Sequence, residues 1–157
     1  MAHLRLSVQF QSGARPDDWP LSRPRVRRLI LASLPASCTD AEINVVVMGT
    51  AKARKLNRDY RGQDHATNIL TFSYGQAPGL FADLVFCLPV MRAEARQQNK
   101  RPDHHAAHLI VHGVLHASGM DHQNKNDADA MEWLEAAILG RFRIPNPYAA
   151  SASQNSS

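Results

Sequence analysis

Cysteine is scarce: the 157 residues hold two, Cys38 and Cys87, at unrelated spacing and far from any other cluster of ligand-type side chains. They offer no disulfide framework and no cysteine-closed zinc site, and they suit a reducing cytosol. No stretch approaches the roughly 18 apolar residues that a membrane helix requires. The N-terminus lacks the basic start and apolar core of a secretory signal, so a soluble cytoplasmic protein is expected. Internal repeats are absent as well. The length suits one domain, expected over residues 1–147, and the small polar residues from 148 to 157 lack core formers and are expected to be disordered.

Histidine is where the chain is rich. Six of its eight histidines fall between positions 104 and 122. His112 and His116 are four apart, so on a helix they stand one turn apart on nearly the same face, close enough to hold one ion. Gly119 supplies the left-handed residue that ends such a helix, and His122 then arrives from the reversed chain. Three neutral imidazoles with a position left for water describe a catalytic zinc site rather than a structural one. His108 could pair with His112, but it lies about 12 Å along the axis from His116 at 1.5 Å per residue, too far to share an ion. It is read as a neighbour of the site, and His104 and His105 as part of an exposed first turn after Pro102 and Asp103.

A second absence narrows the chemistry. Zinc peptidases of the H-E-x-x-H kind place a glutamate after the first histidine as general base, and here that position is Gly113. A metal could still activate water or act as a Lewis acid on a phosphate oxygen. Asp121 is a candidate to orient an imidazole, or equally a local cap.

Charge is unevenly placed. Residues 1–101 carry 15 Lys and Arg against 8 Asp and Glu, whereas residues 102–157 carry 3 against 6. The cations cluster at Arg23 to Arg28, at Lys52 to Arg61, and at Arg92 to Arg101. Such clusters suit a polyanionic partner, or they are solvated helix faces.

Periodicity gives alternating elements. Leu4, Leu6, Val8 and Phe10 alternate as a half-buried strand. A helix is expected from Pro24 to Leu34, with Val26, Leu29, Ile30 and Leu34 inward, and a buried strand over Ile43 to Met48. Thr50 is expected to cap a helix with Ala53, Leu56 and Tyr60 inward, ending near Tyr60 and Arg61. Strands Asn68 to Phe72 and Asp83 to Cys87 follow, then a helix with Pro89 in its first turn. The histidine helix should span Asp103 to Ser118, and a last helix Asp127 to Leu139, with Met131, Leu134 and Ile138 inward. The expected class is α+β: a small mixed four-stranded sheet packed with about five helices, the metal site on a central helix.

The run from His112 to His122 reads H-G-x-L-H-x-x-G-x-D-H, which resembles the signature of the YbeY family of bacterial metal-dependent endoribonucleases. Leu56-Asn57-Arg58-Asp59-Tyr60-Arg61-Gly62-Gln63-Asp64, Thr67-Asn68-Ile69-Leu70-Thr71-Phe72 and Ala82-Asp83-Leu84-Val85-Phe86-Cys87 resemble further segments of that family in the same order. Met120, Ala66 and Ala82 depart from its usual tyrosine, proline and glycine. The resemblance implies an α+β fold, one Zn2+ at His112, His116 and His122, and a catalytic arginine at Arg61. It also implies a zinc-dependent, single-strand-specific endoribonuclease in ribosomal RNA maturation, at the 3′ end of the small-subunit RNA, and in ribosome quality control. Its partners would be single-stranded RNA, ribosomal RNA or the small subunit, and ribosome-assembly proteins. Two alternatives stand beside this reading: a non-catalytic ribosome-assembly factor with a structural metal, and a metallopeptidase-like zinc hydrolase.

Overall fold

Period-two alternation builds a sheet whose two faces are both covered. In the computed structural model, which describes residues 2–75, 78–120 and 123–149, the strands are β1 (His3–Phe10), β2 (Asp40–Met48), β3 (Ile69–Gly75) and β4 (Gly79–Cys87). They lie in the order β1-β2-β4-β3, with β1, β2 and β4 parallel and β3 antiparallel to β4 at one edge. The helices are α1 (Arg23–Ser33), α2 (Thr50–Arg61), α3 (Leu88–Gln97), α4 (Pro102–Ala117) and α5 (Lys125–Arg141). The α+β reading, with a four-stranded mixed sheet and five helices among the described residues, is therefore correct. β2 and β4 begin earlier than their apolar runs suggested, because pairing sets Asp40 opposite both His3 and Gly79 and extends the ladder past the hydrophobic stretch.

One face of the sheet, with Leu6, Ile43, Val45, Leu84 and Phe86, joins the main core with α1, α4 and α5. The other face, with Leu70, Val85 and Cys87, packs on Ala53 and Leu56 of α2. Local signals start and stop these helices. Ser22 accepts a hydrogen bond from the Arg25 N–H to open α1, and Asn124 accepts one from Asp127 to open α5. α4 ends as its glycine requires: Gly119 has φ 105°, its N–H reaches the His116 carbonyl, and Met120 N–H reaches back to Leu115.

Four expectations need correction. The cap of α2 is Gly49, not Thr50, which is the first helical residue. A Cβ on Gly49 would stand 2.7 Å from the Cα of Gly13, so two backbones meet there at a distance only glycine permits. Tyr60 is 70% exposed rather than inward: by its last turn α2 has run past the apolar patch, and the ring touches Phe72 edge-on at 5.5 Å. His105 is buried, because α4 starts at Pro102 and its first turn already packs on α3, where Glu94 receives the imidazole. α5 begins at Lys125 and runs through Gly140 to Arg141, since nothing in this helix needs a left-handed residue at 140.

α4 is the central helix. It is apolar almost all round, and it packs against α1, α3, α5, β3 and β4. Its approach to the sheet is set by Gly113, where an added Cβ would fall 2.8 Å from Ile69 Cδ1 and 3.1 Å from Leu84 Cδ2. The position where a zinc peptidase carries its glutamate is thus filled by the sheet itself. Gly113→Glu should lose at least about 3 kcal/mol of stability in urea unfolding, from overpacking and from burying a charge without a partner. A variant as stable as its parent would show that α4 does not pack this closely.

Candidate functional site

A cleft of about 990 Å³ opens between α4 and the edge strand β3, and the C-terminal end of α2 forms its rim. His112 and His116, one turn apart on α4, both line it, and so does Arg61. The structure therefore brings together three of the four residues singled out in the sequence. The fourth, His122, lies with Asp121 outside the described residues. Among the described residues no three His, Cys, Asp or Glu side chains converge as an ion cage.

His112 does not stand alone behind the cleft wall. Its Nδ1 lies 2.7 Å from Oε2 of Glu135, a fully buried carboxylate on α5. Oε1 of the same carboxylate lies 2.7 Å from Nε2 of His108 and also accepts the hydroxyl proton of Tyr148. Burial by itself would raise the pKa of Glu135, but the bonds from His108, His112 and Tyr148 outweigh it and hold the group down to about 2. Burial also lowers the pKa of His108, against the opposing pull of Glu135, which keeps this imidazole neutral. Tyr148, the first residue of the expected tail, has its pKa raised by burial and by the carboxylate it serves.

This network supplies the test of whether the donor set suits a metal. A carboxylate can only accept, so a neutral His112 holds its proton on Nδ1 and its lone pair on Nε2. Metal-bound histidines typically show this arrangement, with the second nitrogen donating to a carboxylate that fixes the ring and raises its basicity. Imidazole donors of this kind suit zinc, and the residues present fit such an ion.

Sequence reasoning missed Glu135. The only available signal was its spacing, four residues after Met131 and three before Ile138, which puts a carboxylate on the inward face of α5. It missed Glu94 for the same reason. That residue of α3 accepts from Asn68 and His105 on the wall of the same cleft, and these bonds lower its pKa although burial acts to raise it.

Arg61 is presented by a local device. α2 ends at Gly62, which has φ 70°, and the buried Asn57 donates to the His65 carbonyl at 2.8 Å, holding the loop that leads into β3. The other cations at this end of α2 are engaged: Arg54 grips Asp64 with two bonds, Lys55 meets Asp59, and Arg58 leans on both carboxylates. Arg61 pairs with no carboxylate among the described residues and faces the cleft. Elsewhere the basic clusters are structural in large part. Arg23 and Arg27 donate to the Leu6 and Leu4 carbonyls, Arg25 lies over the Phe142 ring, and Arg92 meets Asp18.

A carboxylate whose folded pKa is depressed contributes stability above its unfolded value of about 4.3, lost as pH falls through the folded value. The metal-free wild type should therefore lead Glu135→Gln in stability at neutral pH, and the gap should shrink as pH falls from there towards 2. Urea unfolding of both proteins over that range is the measurement. A constant gap would mean that Glu135 is not held ionised.

Residues 24–143 match the family model described as Endoribonuclease YbeY. Proteins named Endoribonuclease YbeY are 52% identical over 147 residues in Thiobacillus denitrificans, covering 92% of this chain and 96% of the relative, and 49% identical over 148 residues in Verminephrobacter eiseniae, covering 93% and 94%. The one from Aromatoleum aromaticum is 46% identical over 148 residues, covering 94% of each chain. In fold, the chain is similar to the solution structure of TM1509 from Thermotoga maritima, with a TM-score of 0.59 at 20% identity over 88% of this chain and 92% of that one. A model matched across most of the chain and relatives aligned along nearly its whole length place this chain in the YbeY family of endoribonucleases.

Proposed function

We propose that this chain is a zinc-dependent endoribonuclease that cleaves single-stranded RNA during maturation of ribosomal RNA, at the 3′ end of the small-subunit RNA, and in ribosome quality control. The carrying observation is the meeting, in one cleft, of a carboxylate-braced histidine and an arginine with no carboxylate partner among the described residues. Family membership supplies the class of reaction, cleavage within an RNA chain; the ribosomal substrate is our own extension of it. His112 and His116, joined by His122, would hold the ion, which when bound supplies Lewis-acid polarisation of the scissile phosphate and of the attacking water.

The protein's own groups do the rest. Arg61 offers a planar fork of N–H donors to a phosphodiester and stabilises the negative charge that builds on it in the transition state. Its neighbour Tyr60 presents an exposed ring braced edge-on by Phe72 at the cleft rim, a surface on which an unpaired base stacks and a paired base cannot. Glu135 orients His112 from behind. The packing at Gly113 argues against the metallopeptidase alternative, because no glutamate fits at the position that chemistry needs. The described residues contain no helix long and apolar enough to cross a membrane, in keeping with a cytoplasmic enzyme that works on ribosomal particles.

Two experiments test this reading. Purified protein should carry about one zinc per chain, cleave single-stranded ribosomal RNA, and lose that activity on chelation or in His116→Ala. Equal residual cleavage in wild type and variant would point to a contaminating nuclease and favour the assembly-factor alternative. Arg61→Ala should slow cleavage by at least about 100-fold, the scale of losing one transition-state donor, with bound zinc unchanged. Undiminished cleavage would remove Arg61 from the mechanism.

A further inference from the structure

α4 carries overlapping histidine pairs at helical spacing, and the row does not say which pair takes an ion. His108 and His112 are four apart, and so are His112 and His116. Glu135 meets His108 and His112 from behind, and it meets them through different nitrogens: Nε2 of His108 and Nδ1 of His112. Because an ionised carboxylate only accepts, each facing nitrogen must carry the proton. In its neutral form His112 is then the Nδ1–H tautomer, with its lone pair on Nε2. His108 is the opposite, with its lone pair on Nδ1, and that atom is buried without a hydrogen-bond partner among the described residues. A lone pair enclosed by protein has no route to an ion in the cleft.

We propose that Glu135 is a positioning residue that sets opposite tautomers in His108 and His112, and so makes His112 and not His108 the partner of His116 at the metal. This rests on the metal reading given above. The bonding of the carboxylate is asymmetric, and the asymmetry makes the idea testable. Among the described residues Oε1 receives two donors, from His108 and Tyr148, whereas Oε2 receives one, from His112. In Glu135→Gln the amide oxygen stays where two donors converge, and the amide NH2 turns to His112. His112 must then accept at Nδ1, which moves its own proton to Nε2 and occupies the ligand position.

The experiment begins with metal-free, nitrogen-15 histidine-labelled wild type, in which long-range proton–nitrogen spectra report each tautomer. His112 is expected as Nδ1–H and His108 as Nε2–H. In Glu135→Gln, His112 should change to the Nε2–H pattern, and zinc affinity measured by competition with a chelator should fall about 10- to 100-fold. His108→Ala should retain a zinc ion that His116→Ala loses. A His112 that is Nε2–H in metal-free wild type overturns the proposal without reference to any variant. Zinc lost with His108→Ala but kept with His116→Ala overturns it too. The stated tautomers in a wild type that binds no zinc would overturn the metal reading and the choice of ligand with it, while the tautomer assignment stood.

Discussion

The closeness with which α4 is pressed onto the sheet governs the rest of the molecule. A helix that meets the sheet through a glycine has no room on that side for a functional side chain, and α1, α3 and α5 claim most of what remains. His112 and His116 line the space that opens beside the edge strand β3. The cleft exists because β3 has no strand beyond it in the sheet, so the space beside it is bounded by α4 and by the end of α2. A reactive surface set on such a rigid wall is held more closely than one carried on a loop.

Charge follows a similar economy. The basic N-terminal part looked from composition like a broad polyanion-binding face, yet its arginines largely close backbone carbonyls, cover an aromatic ring or meet a nearby carboxylate. Exposed pairs of this kind contribute little stability individually. Nearer the cleft, Asp59 and Asp64 likewise engage Arg54, Lys55 and Arg58, whereas Arg61 meets no carboxylate among the described residues.

Much of this was legible in the sequence, and the illegible parts share a cause. Spacing placed His112 and His116 on one helical face, and Gly119 ended that helix as its conformational freedom suggested. The strands were readable from alternation, although their true starts depend on neighbours that no local pattern reveals. Arg61 was identified by resemblance alone, since nothing in its own segment distinguishes it from Arg58. Glu135 was invisible because a carboxylate on a helix normally reads as a solvent residue, and Leu134 beside it is an equally good candidate for the inward position. The imidazoles on the facing helix and the Tyr148 hydroxyl make a buried carboxylate tolerable there, and that complementarity lies between elements rather than within any one of them.

The position of Tyr148 bears on when the molecule acquires its chemistry. Synthesis runs from the N-terminus, so the strands, α2 with Arg61, and α4 with its histidines all leave the ribosome before Glu135 and before the tyrosine that covers it. Until α5 has docked, no carboxylate fixes the proton positions of His108 and His112, and the rings are at liberty to exchange tautomers. A nascent chain of this protein therefore carries Arg61 and the histidines of α4 before the carboxylate that holds His108 and His112 has been placed.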